Sequence, residues 1–402
     1  MLSAIGALPF TLSGDIPSYT DAFFETVSGF TTTGASILTN VELMMRGNLF
    51  WRSFTHWVGG MGVLVLVTII ASKLPDRSMN ILKAEMPGPI VGKLVPKTKD
   101  TSRILYLIYL GITVLVTVLL LAGGMPLFDS VVHAFGTAGT GGFGIKADSI
   151  AGYSPYLQWV ITLGMLAFGV NFNIYFLLLL RRFGEILRST ELWAYLGIVT
   201  ASVLAITANI SSVYSTTAES LRHAAFQVSS VITTTGYATT DFNLWPSFSK
   251  GILFLLMFIG ACAGSTGGGL KVSRVVILCQ MIRSEIRRMV HPRSVSVVRY
   301  EGKIVDKDTQ TGTATYFALY SLCIVATFLL ISLDNFNFET NFSAAVACFN
   351  NIGPGFDMVG PAGNFSAYSD FSKYVLAFAM LLGRLEVFPL LLTFAPSVWR
   401  RR

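Results

Sequence analysis

Charged side chains are scarce in this sequence: of 402 residues, only 13% are Asp, Glu, Lys or Arg, whereas 52% are hydrophobic. A soluble chain carries about 25% charged residues. Four long runs contain no charged residue, namely 104–128, 192–218, 251–270 and 312–333. A helix needs about 20 apolar residues to cross the hydrocarbon core of a bilayer. The runs exclude a soluble globular protein and predict an all-α integral membrane protein.

Histidine and cysteine are also scarce, with four residues of each. The histidines are scattered, and none lies at ligand spacing from a carboxylate, which leaves metal binding and acid–base catalysis without support. No nucleophile has a base nearby, so we interpret the protein as a non-enzyme and keep an intramembrane enzyme as a distant alternative. The cysteines, irregularly spaced in or beside apolar runs, are typical of small buried hydrophobic residues rather than a disulfide framework. They are Cys262, Cys279, Cys323 and Cys348.

Seven membrane spans are predicted, at 47–73, 101–123, 152–181, 191–214, 248–282, 312–333 and 370–396. Basic residues concentrate in alternate connections, at 73–103, 181–191 and 283–307, and at the C-terminus. The positive-inside rule places these segments in the cytoplasm and the other connections outside. The net charge of +7 is therefore assigned to cytoplasmic loops rather than to nucleic-acid binding.

Each outward connection contains a moderately apolar stretch of about a dozen residues, too short to span and typical of a re-entrant helix. Asp129 opens the second stretch, and Thr216 with Glu219 has capping-box spacing before the third. We expect His133 and His223 to lie on these short helices. A cluster rich in small residues follows every stretch; the clusters are Thr31–Ala35, Gly139–Phe143, Thr233–Tyr237 and Asn350–Gly355.

The clusters recur at intervals near one hundred residues, which indicates an internal repeat. The predicted repeats are 1–73 (incomplete), 101–182, 190–290 (with a broken second span) and 310–402. Each consists of a span, a re-entrant pore helix, a filter loop and a second span, and the first lacks most of its leading span. Backbone carbonyls supply the oxygen ring that a dehydrated monovalent cation needs. Recurrence on one side of the membrane favours a single cation pore over ordinary Thr-Gly loop turns.

The fifth predicted span is interrupted, because five of the ten residues 260–269 are glycine. A phosphate-binding loop would end in Gly-Lys-Ser/Thr, but Leu270 separates Gly269 from Lys271. Flexible packing of membrane helices is the simpler alternative. Arg384 is also unusual, since it lies about 21 Å along the last span. A charge at that depth faces water or a partner, unless the side chain extends to the cytoplasmic interface.

The sequence resembles the superfamily of potassium transporters built from four joined channel-like repeats, and within it the Trk family. The resemblance covers nearly the whole chain. Its markers are Thr32–Ser36, Asn350–Gly355, Gly264–Lys271, Gly383–Glu386 and Trp399. The chain begins just before the first re-entrant segment, and residues 1–9 resemble the tail of the missing first span. We therefore expect a shortened gene or an incomplete sequence.

The resemblance implies a potassium filter formed by the first glycine of each loop and the two residues before it. These residues are Thr32, Thr33, Gly34, Gly139, Thr140, Gly141, Thr234, Thr235, Gly236, Asn351, Ile352 and Gly353. Because Gly141 is followed by Gly142, the register of the second loop stays open by one residue. The resemblance also implies an intramembrane gate below the filter, made of Gly264, Ser265, Thr266, Gly267, Gly268, Gly269, Lys271 and Arg384. Potassium is then the transported ion and the only metal at the filter, and no organic cofactor is expected.

The expected location is the bacterial inner (plasma) membrane, with several spans and a cytoplasmic C-terminus. The resemblance further implies a homodimer and a cytoplasmic nucleotide-binding regulatory subunit of the TrkA type. The basic segment 283–307 is a plausible docking site for that subunit, although it also suits anionic membrane lipid or a role in topology alone. Flux down the electrical gradient is the simpler mechanism, with a Na⁺- or H⁺-coupled potassium symporter as the alternative.

Overall fold

The computed structural model describes residues 1–70, 98–293, 296–385, 387, 388 and 390, and these residues are mostly helical. Within them, one two-stranded antiparallel hairpin joins β1 (Arg299–Tyr300) to β2 (Lys303–Ile304). The first helices are α1 (Leu2–Gly6), α2 (Leu8–Ser13), α3 (Tyr19–Phe30), α4 (Arg46–Ile70), α5 (Thr98–Ala122), α6 (Leu127–Gly139), α7 (Pro155–Gly169) and α8 (Phe172–Leu179). The remainder are α9 (Phe183–Leu187), α10 (Thr190–Asn209), α11 (Thr217–Ile232), α12 (Ser247–Ile259), α13 (Val272–Val290), α14 (Lys307–Ile331), α15 (Phe338–Phe349) and α16 (Asp370–Arg384).

Three helices of the described residues are individually long and apolar enough to cross a membrane: Arg103–Ala122 in α5, α10, and α14 with its following turn. A fourth span is possible if α7 and α8 count together. Helix α4 coincides with the predicted span 47–73 but has non-helical backbone at Gly62. Helix α16 begins the predicted span 370–396, and residues 391–396 lie outside the described part. Most of the basic segment predicted at 73–103 lies outside it as well.

The predicted span over 152–181 is not one straight helix. Helices α7 and α8 meet at a bend of 90°. Val170 between them is extended, and Asn171 caps α8 by accepting a hydrogen bond from the Asn173 amide (3.0 Å). The backbone groups freed by the bend bond to a distant segment: Cys262 N donates to Gly169 O (3.1 Å), and Phe172 N donates to Gly264 O (3.0 Å). The break is stable because its polar groups are paired inside the protein.

The predicted interruption of the fifth span is confirmed. Helix α12 ends at Ile259 and α13 begins at Val272. Between them the chain makes a glycine-rich loop, residues 260–271, and returns to the end of α12, where Lys271 N donates to Ile259 O (2.9 Å). Gly260 and Gly269 both have positive φ and pack so closely that a Cβ on Gly269 would lie 2.8 Å from the Gly260 Cα. Only residues without a side chain allow this approach.

Four helices of 12–16 residues, α3, α6, α11 and α15, each end at one of the four small-residue clusters. The predicted start of α11 is confirmed, since the Thr216 hydroxyl accepts from Glu219 N at 3.2 Å. His133 lies on α6 and His223 on α11, as predicted. These helices are buried on most sides, and the run Ala344–Cys348 of α15 is fully enclosed. Small side chains suit a helix that neighbours contact all round.

The cysteine prediction is confirmed for Cys262 and Cys348, which are buried, and wrong for Cys279, which is exposed. Cys279 lies on α13, whose sequence becomes strongly basic toward its end. An apolar environment therefore surrounds only part of that helix.

Candidate functional site

The four loops share one backbone conformation. Each begins with a residue in the left-handed region, Thr32 (φ 54°), Thr140 (52°), Thr234 (57°) or Asn351 (57°). Two residues later comes a glycine with positive φ, Gly34 (80°), Gly142 (76°), Gly236 (86°) or Gly353 (95°). The residue between has negative φ in every loop. Alternation of left- and right-handed residues turns successive carbonyl groups toward the same side of the chain.

The four helices also end in the same way. After α3, Thr32 N donates to Gly29 O (3.0 Å) and Thr33 N donates to Ser28 O (2.8 Å). The same pair of bonds closes α6, α11 and α15. This is the Schellman pattern, which normally has glycine at its left-handed position. Here the C-terminal, partially negative ends of four helices lie against the loops, an arrangement that favours a cation.

The backbone places Gly142, rather than Gly141, in the position equivalent to Gly34. Thr140 is the left-handed residue of the second loop and Gly141 the intermediate one. Gly139, which the sequence grouped with the filter residues, is the last residue of α6. The sequence left this register open because both Gly141 and Gly142 satisfy a small-residue pattern. Only the backbone angles distinguish them.

The loops form a closed ring in which each glycine faces a carbonyl of the next loop. A Cβ built on Gly34 would lie 2.0 Å from Gly141 O, and one on Gly142 would lie 2.0 Å from Thr235 O. Gly236 faces Ile352 O in the same way (2.2 Å), and Gly353 faces Thr33 O (2.7 Å). The four carbonyl-bearing residues are those that immediately precede the four glycines. A side chain at any of these glycines would enter the ring.

Side-chain hydrogen bonds support the ring, and two of the residues that make them, Thr31 and Thr233, were not among the predicted site residues. The Thr31 and Thr33 hydroxyls are 2.8 Å apart, and Thr233 and Thr235 repeat the contact at 2.7 Å. Among the described residues, a hydrogen bond joins the fourth loop to the first: Asn351 Nδ2 donates to Thr33 Oγ1 (2.9 Å). The recurrent Thr-x-Thr spacing was the available signal for the threonine pairs.

His56 packs against the second loop, although the sequence did not predict it as a site residue. Its ring stacks on Phe143 (centroids 4.1 Å apart), and a Cβ on Gly141 would lie 2.2 Å from its Nδ1. His56 is completely buried. Its sequence context gave no signal, because α4 precedes the second loop by more than eighty residues.

The glycine-rich loop lies directly against the helix ends below the ring. Gly268 N donates to Thr234 Oγ1 (2.6 Å), and a Cβ on Gly268 would lie 2.4 Å from Asn350 O. Thr266 Oγ1 donates to Phe168 O (3.2 Å) at the end of α7. Lys271 is buried and donates to Gly267 O within the loop. Gly264 lies where the loop meets the bend between α7 and α8, because its O accepts a hydrogen bond from Phe172 N, and Ser265 follows it in the chain.

Arg384, the last residue of α16, reaches the same loop. Its guanidinium donates to Thr266 O (2.7 Å), to Gly60 O (2.7 Å) and to Gly59 O. Gly59 and Gly60 precede the non-helical position in α4. The guanidinium therefore joins the interrupted segments of two helices. The Gly59-Gly60-Met61-Gly62 sequence was the missed signal on α4.

A buried carboxylate holds the other side of the glycine-rich loop. Glu191, at the start of α10, accepts a hydrogen bond from Ala263 N (2.6 Å) and another from Asn171 Nδ2 (3.3 Å). Its own backbone N donates to Glu301 of the β-hairpin (2.9 Å). The hairpin and the glycine-rich loop are thus linked through one residue.

One open cavity is lined by Gly34, Gly142, Gly236 and Gly353 together and by no residue of the glycine-rich loop. All four loops therefore border the same cavity. Below the ring lie the glycine-rich loop and Arg384.

Comparisons with known proteins identify the family that the chain matches. Residues 1–401 match the family described as TrkH, cation transport protein. The Trk system potassium uptake protein TrkH of Salmonella typhimurium (strain LT2) is 37% identical over 408 residues, covering 100% of this chain and 84% of the relative. The uptake protein TrkG of Escherichia coli (strain K12) is 34% identical over 407 residues, covering 100% and 83%. A crystal structure of the potassium transporter TrkH from Vibrio parahaemolyticus has a TM-score of 0.87 and 32% identity, covering 100% of this chain and 83% of that chain.

Proposed function

The chain belongs to the TrkH family of cation transport proteins, and from this premise we propose that it conducts K⁺ through the ring of loop carbonyls. The family is one of potassium uptake transporters in the inner membrane, which fits a non-enzyme. The observation that carries the proposal is the ring, in which four glycines each face a carbonyl of the next loop. Rings of backbone carbonyls replace the hydration shell of K⁺.

The proposal assigns the ring to Thr32–Gly34, Thr140–Gly142, Thr234–Gly236 and Asn351–Gly353. Repeats 1–73, 101–182, 190–290 and 310–402 then surround one pore, each contributing one re-entrant helix and one loop. Burial of all four helices and their shared C-terminal hydrogen bonds support this division.

The second part of the proposal is a gate. The glycine-rich loop lies beneath the ring, and Arg384 joins it to Gly59 and Gly60. A positive charge on the axis opposes a cation. Movement of the loop away from Thr234 and Asn350 would open the path below the ring. The dense glycine content supports such movement.

The remaining parts concern assembly. We place the C-terminus and the β-hairpin in the cytoplasm, because α13 and the segment after it carry the basic residues that favour that side. A homodimer and a nucleotide-binding subunit of the TrkA type that docks on this basic segment complete the proposal. Its relatives are named as components of Trk systems, which supports a partner of this kind.

The test replaces Gly34 with Ala or Ser and compares each with Gly14→Ala. Gly14 and Gly34 have nearly the same φ (82° and 80°), but a Cβ on Gly14 meets nothing within 4 Å. Both positions carry the backbone strain of a left-handed residue, about 1–2 kcal/mol. Only the Gly34 variants insert an atom into the ring. We expect them to lose potassium uptake or its preference over sodium, and Gly14→Ala to retain both.

The measurements are growth of a potassium-uptake-deficient bacterium on low potassium and Rb⁺ uptake into liposomes with competing Na⁺. Unchanged selectivity in both Gly34 variants would refute the filter assignment. Uptake that stops when Na⁺ or H⁺ gradients are collapsed at constant membrane potential would instead establish coupled transport.

A further inference from the structure

A buried ion pair lies beside the ring, outside the residues assigned to filter and gate. Glu25 of α3 is 1% exposed and Arg52 of α4 is 3% exposed. Arg52 Nε is 2.8 Å and Nη2 is 2.7 Å from Glu25 Oε1. Desolvating two charges costs about as much as their attraction returns, so a buried pair is weak evidence for stability. What the pair contacts is therefore more informative than the pair itself.

The Glu25 carboxylate also accepts hydrogen bonds from the segment that follows the first loop. Its Oε1 accepts from Ser36 Oγ (3.0 Å) and its Oε2 accepts from Ile37 N (3.0 Å). Ser36 and Ile37 are the second and third residues after Gly34. A buried carboxylate that accepts a backbone N–H fixes the course of that backbone, because an unpaired N–H would carry its desolvation penalty.

The Arg52 guanidinium also contacts the segment that follows the second loop. Its Nη1 donates to Gly144 O (3.1 Å), and its guanidinium lies over the Phe143 ring at 3.9 Å. These residues follow Gly142. The planar guanidinium suits this combination, since it donates along its edges and stacks through its face. The pair thus joins the two loops immediately outside the ring.

The equivalent positions of the other repeats carry no such charge. Nine residues before Gly34 stands Glu25, and nine residues before the other three ring glycines stand His133, Gln227 and Ala344. The first and fourth loops are instead joined through the neutral Asn351 amide. Among the ion pairs of the described residues, the one that joins two loops of the ring lies at the junction of the first and second loops.

Arg52 also lines the open cavity that borders all four ring glycines, which is the entrance for the cation in the proposed function. With Glu25 in contact, the pair presents no net charge there. Without Glu25, the guanidinium would stand uncompensated at the entrance. The two partners therefore have separable effects, one on the geometry of the loops and one on the field at the entrance.

We propose that Glu25 and Arg52 are positioning residues that set the separation of the first and second loops and so the preference of the ring for K⁺ over Na⁺. This rests on the proposed function, because it assumes that the ring is the filter. Both side chains act through the loops they contact, namely the Ser36 hydroxyl and the backbone of residues 37 and 144.

The test uses the full chain in liposomes, with Rb⁺ uptake measured against competing Na⁺. Glu25→Gln removes the charge but keeps the shape. We expect it to lower the K⁺ preference about tenfold, which corresponds to ~1.4 kcal/mol, and to reduce flux because Arg52 is uncompensated. The double variant Glu25→Gln with Arg52→Gln removes the repulsion, so flux should recover while selectivity stays low. A purely structural role would not separate flux from selectivity in this way.

Asp21→Asn is the matched control. Asp21 lies on the same helix α3, ten residues before the first loop begins at Thr31, and pairs with Lys373 (2.6 Å). Its loss should leave selectivity unchanged. Arg52→Lys keeps the charge but lacks the planar fork, and we expect reduced selectivity with undiminished thermal stability. It decides the matter if Glu25→Gln does not fold.

Wild-type selectivity in Glu25→Gln, or in Arg52→Lys where the first variant does not fold, overturns the proposal. Absence of selective potassium uptake in the unmodified chain would instead refute the proposed function, so the two failures are distinguishable.

Discussion

At the scale of single residues, the left-handed threonines before the ring stand out. A β-branched residue with positive φ is a genuine outlier, and glycine would occupy that position without strain. Thr32, Thr140 and Thr234 nevertheless hold it. Thr234 shows one reason, because its hydroxyl accepts the Gly268 N–H of the glycine-rich loop at 2.6 Å. Thr234 therefore connects the ring to the glycine-rich loop.

Arg384 gives the residue-scale prediction. Arg384→Ala removes a positive charge and the hydrogen bonds to Gly60 O and Thr266 O. If the loop is a gate, K⁺ flux rises, because the barrier falls and the loop is released. Flux through liposomes containing the purified variant is the measurement. Arg384→Lys keeps the charge and should stay nearer to wild-type flux; lower flux in a stably expressed Arg384→Ala would contradict the gate.

At the scale of elements, two interrupted helical segments supply each other's missing hydrogen-bond partners. The bend between α7 and α8 leaves backbone groups at Gly169 and Phe172, and the glycine-rich loop supplies their partners. Glu191 holds both segments, since it binds Ala263 N and Asn171 Nδ2. Neither break could be stable alone in an apolar environment.

Glu191→Ala tests this connection. The change removes the acceptor of Ala263 N, and leaving a buried donor unpaired costs about 1–3 kcal/mol. We expect lower thermal stability together with higher basal K⁺ flux, because one anchor of the loop is lost. Glu185→Ala is the control, as Glu185 is exposed nearby on α9 and pairs only with exposed Arg182 among the described ion pairs. If Glu191→Ala loses stability but its flux per folded protein is unchanged, the loop does not control conduction.

The start of α15 gives a pH prediction. The pKa of Asp357 is lowered by hydrogen bonds to its carboxylate, first from the Thr340 side chain and then from Asn337. A lowered pKa means that the stabilisation is present above the unfolded pKa of about 3.9 and is lost as the pH falls through the folded value. Melting temperatures measured between about pH 5 and 3 should fall less steeply in Asp357→Asn than in the wild type. Parallel curves would contradict this assignment.

At the scale of the whole molecule, the sequence predicted features that local chemistry determines. The apolar runs, the capping box of Thr216 and the glycine interruption after Ile259 all depend on neighbours in the chain. The bend after Gly169 was missed because its partners lie some ninety residues later, at Cys262 and Gly264. The acceptors of Arg384 were missed for the same reason, since Gly59 lies 325 residues away. The ion coordination itself remains a prediction.

Contacts between the two ends of the chain give a whole-molecule prediction. Asn351 bonds Thr33 across 318 residues, and Lys373 pairs with Asp21 across 352. A chain that stops after residue 334 lacks these partners, so α3 should be exposed. A cysteine placed at Val27, which is fully buried in the complete protein, should react with a thiol reagent only in the shortened chain. The test uses a background without the native cysteines, and equal protection in both chains would contradict it.

The closure of the ring by the last quarter of the chain also bears on biosynthesis. Translation and insertion proceed from the N-terminus, so three loops enter the membrane before the fourth exists. Without Asn351 the first loop lacks its contact with the fourth loop, and without Arg384 α4 is not joined to the glycine-rich loop. If the proposed function holds, a cell that makes this protein assembles the proposed filter and the proposed barrier in the same late step. A half-made chain has no complete ion path through which the membrane potential could leak away.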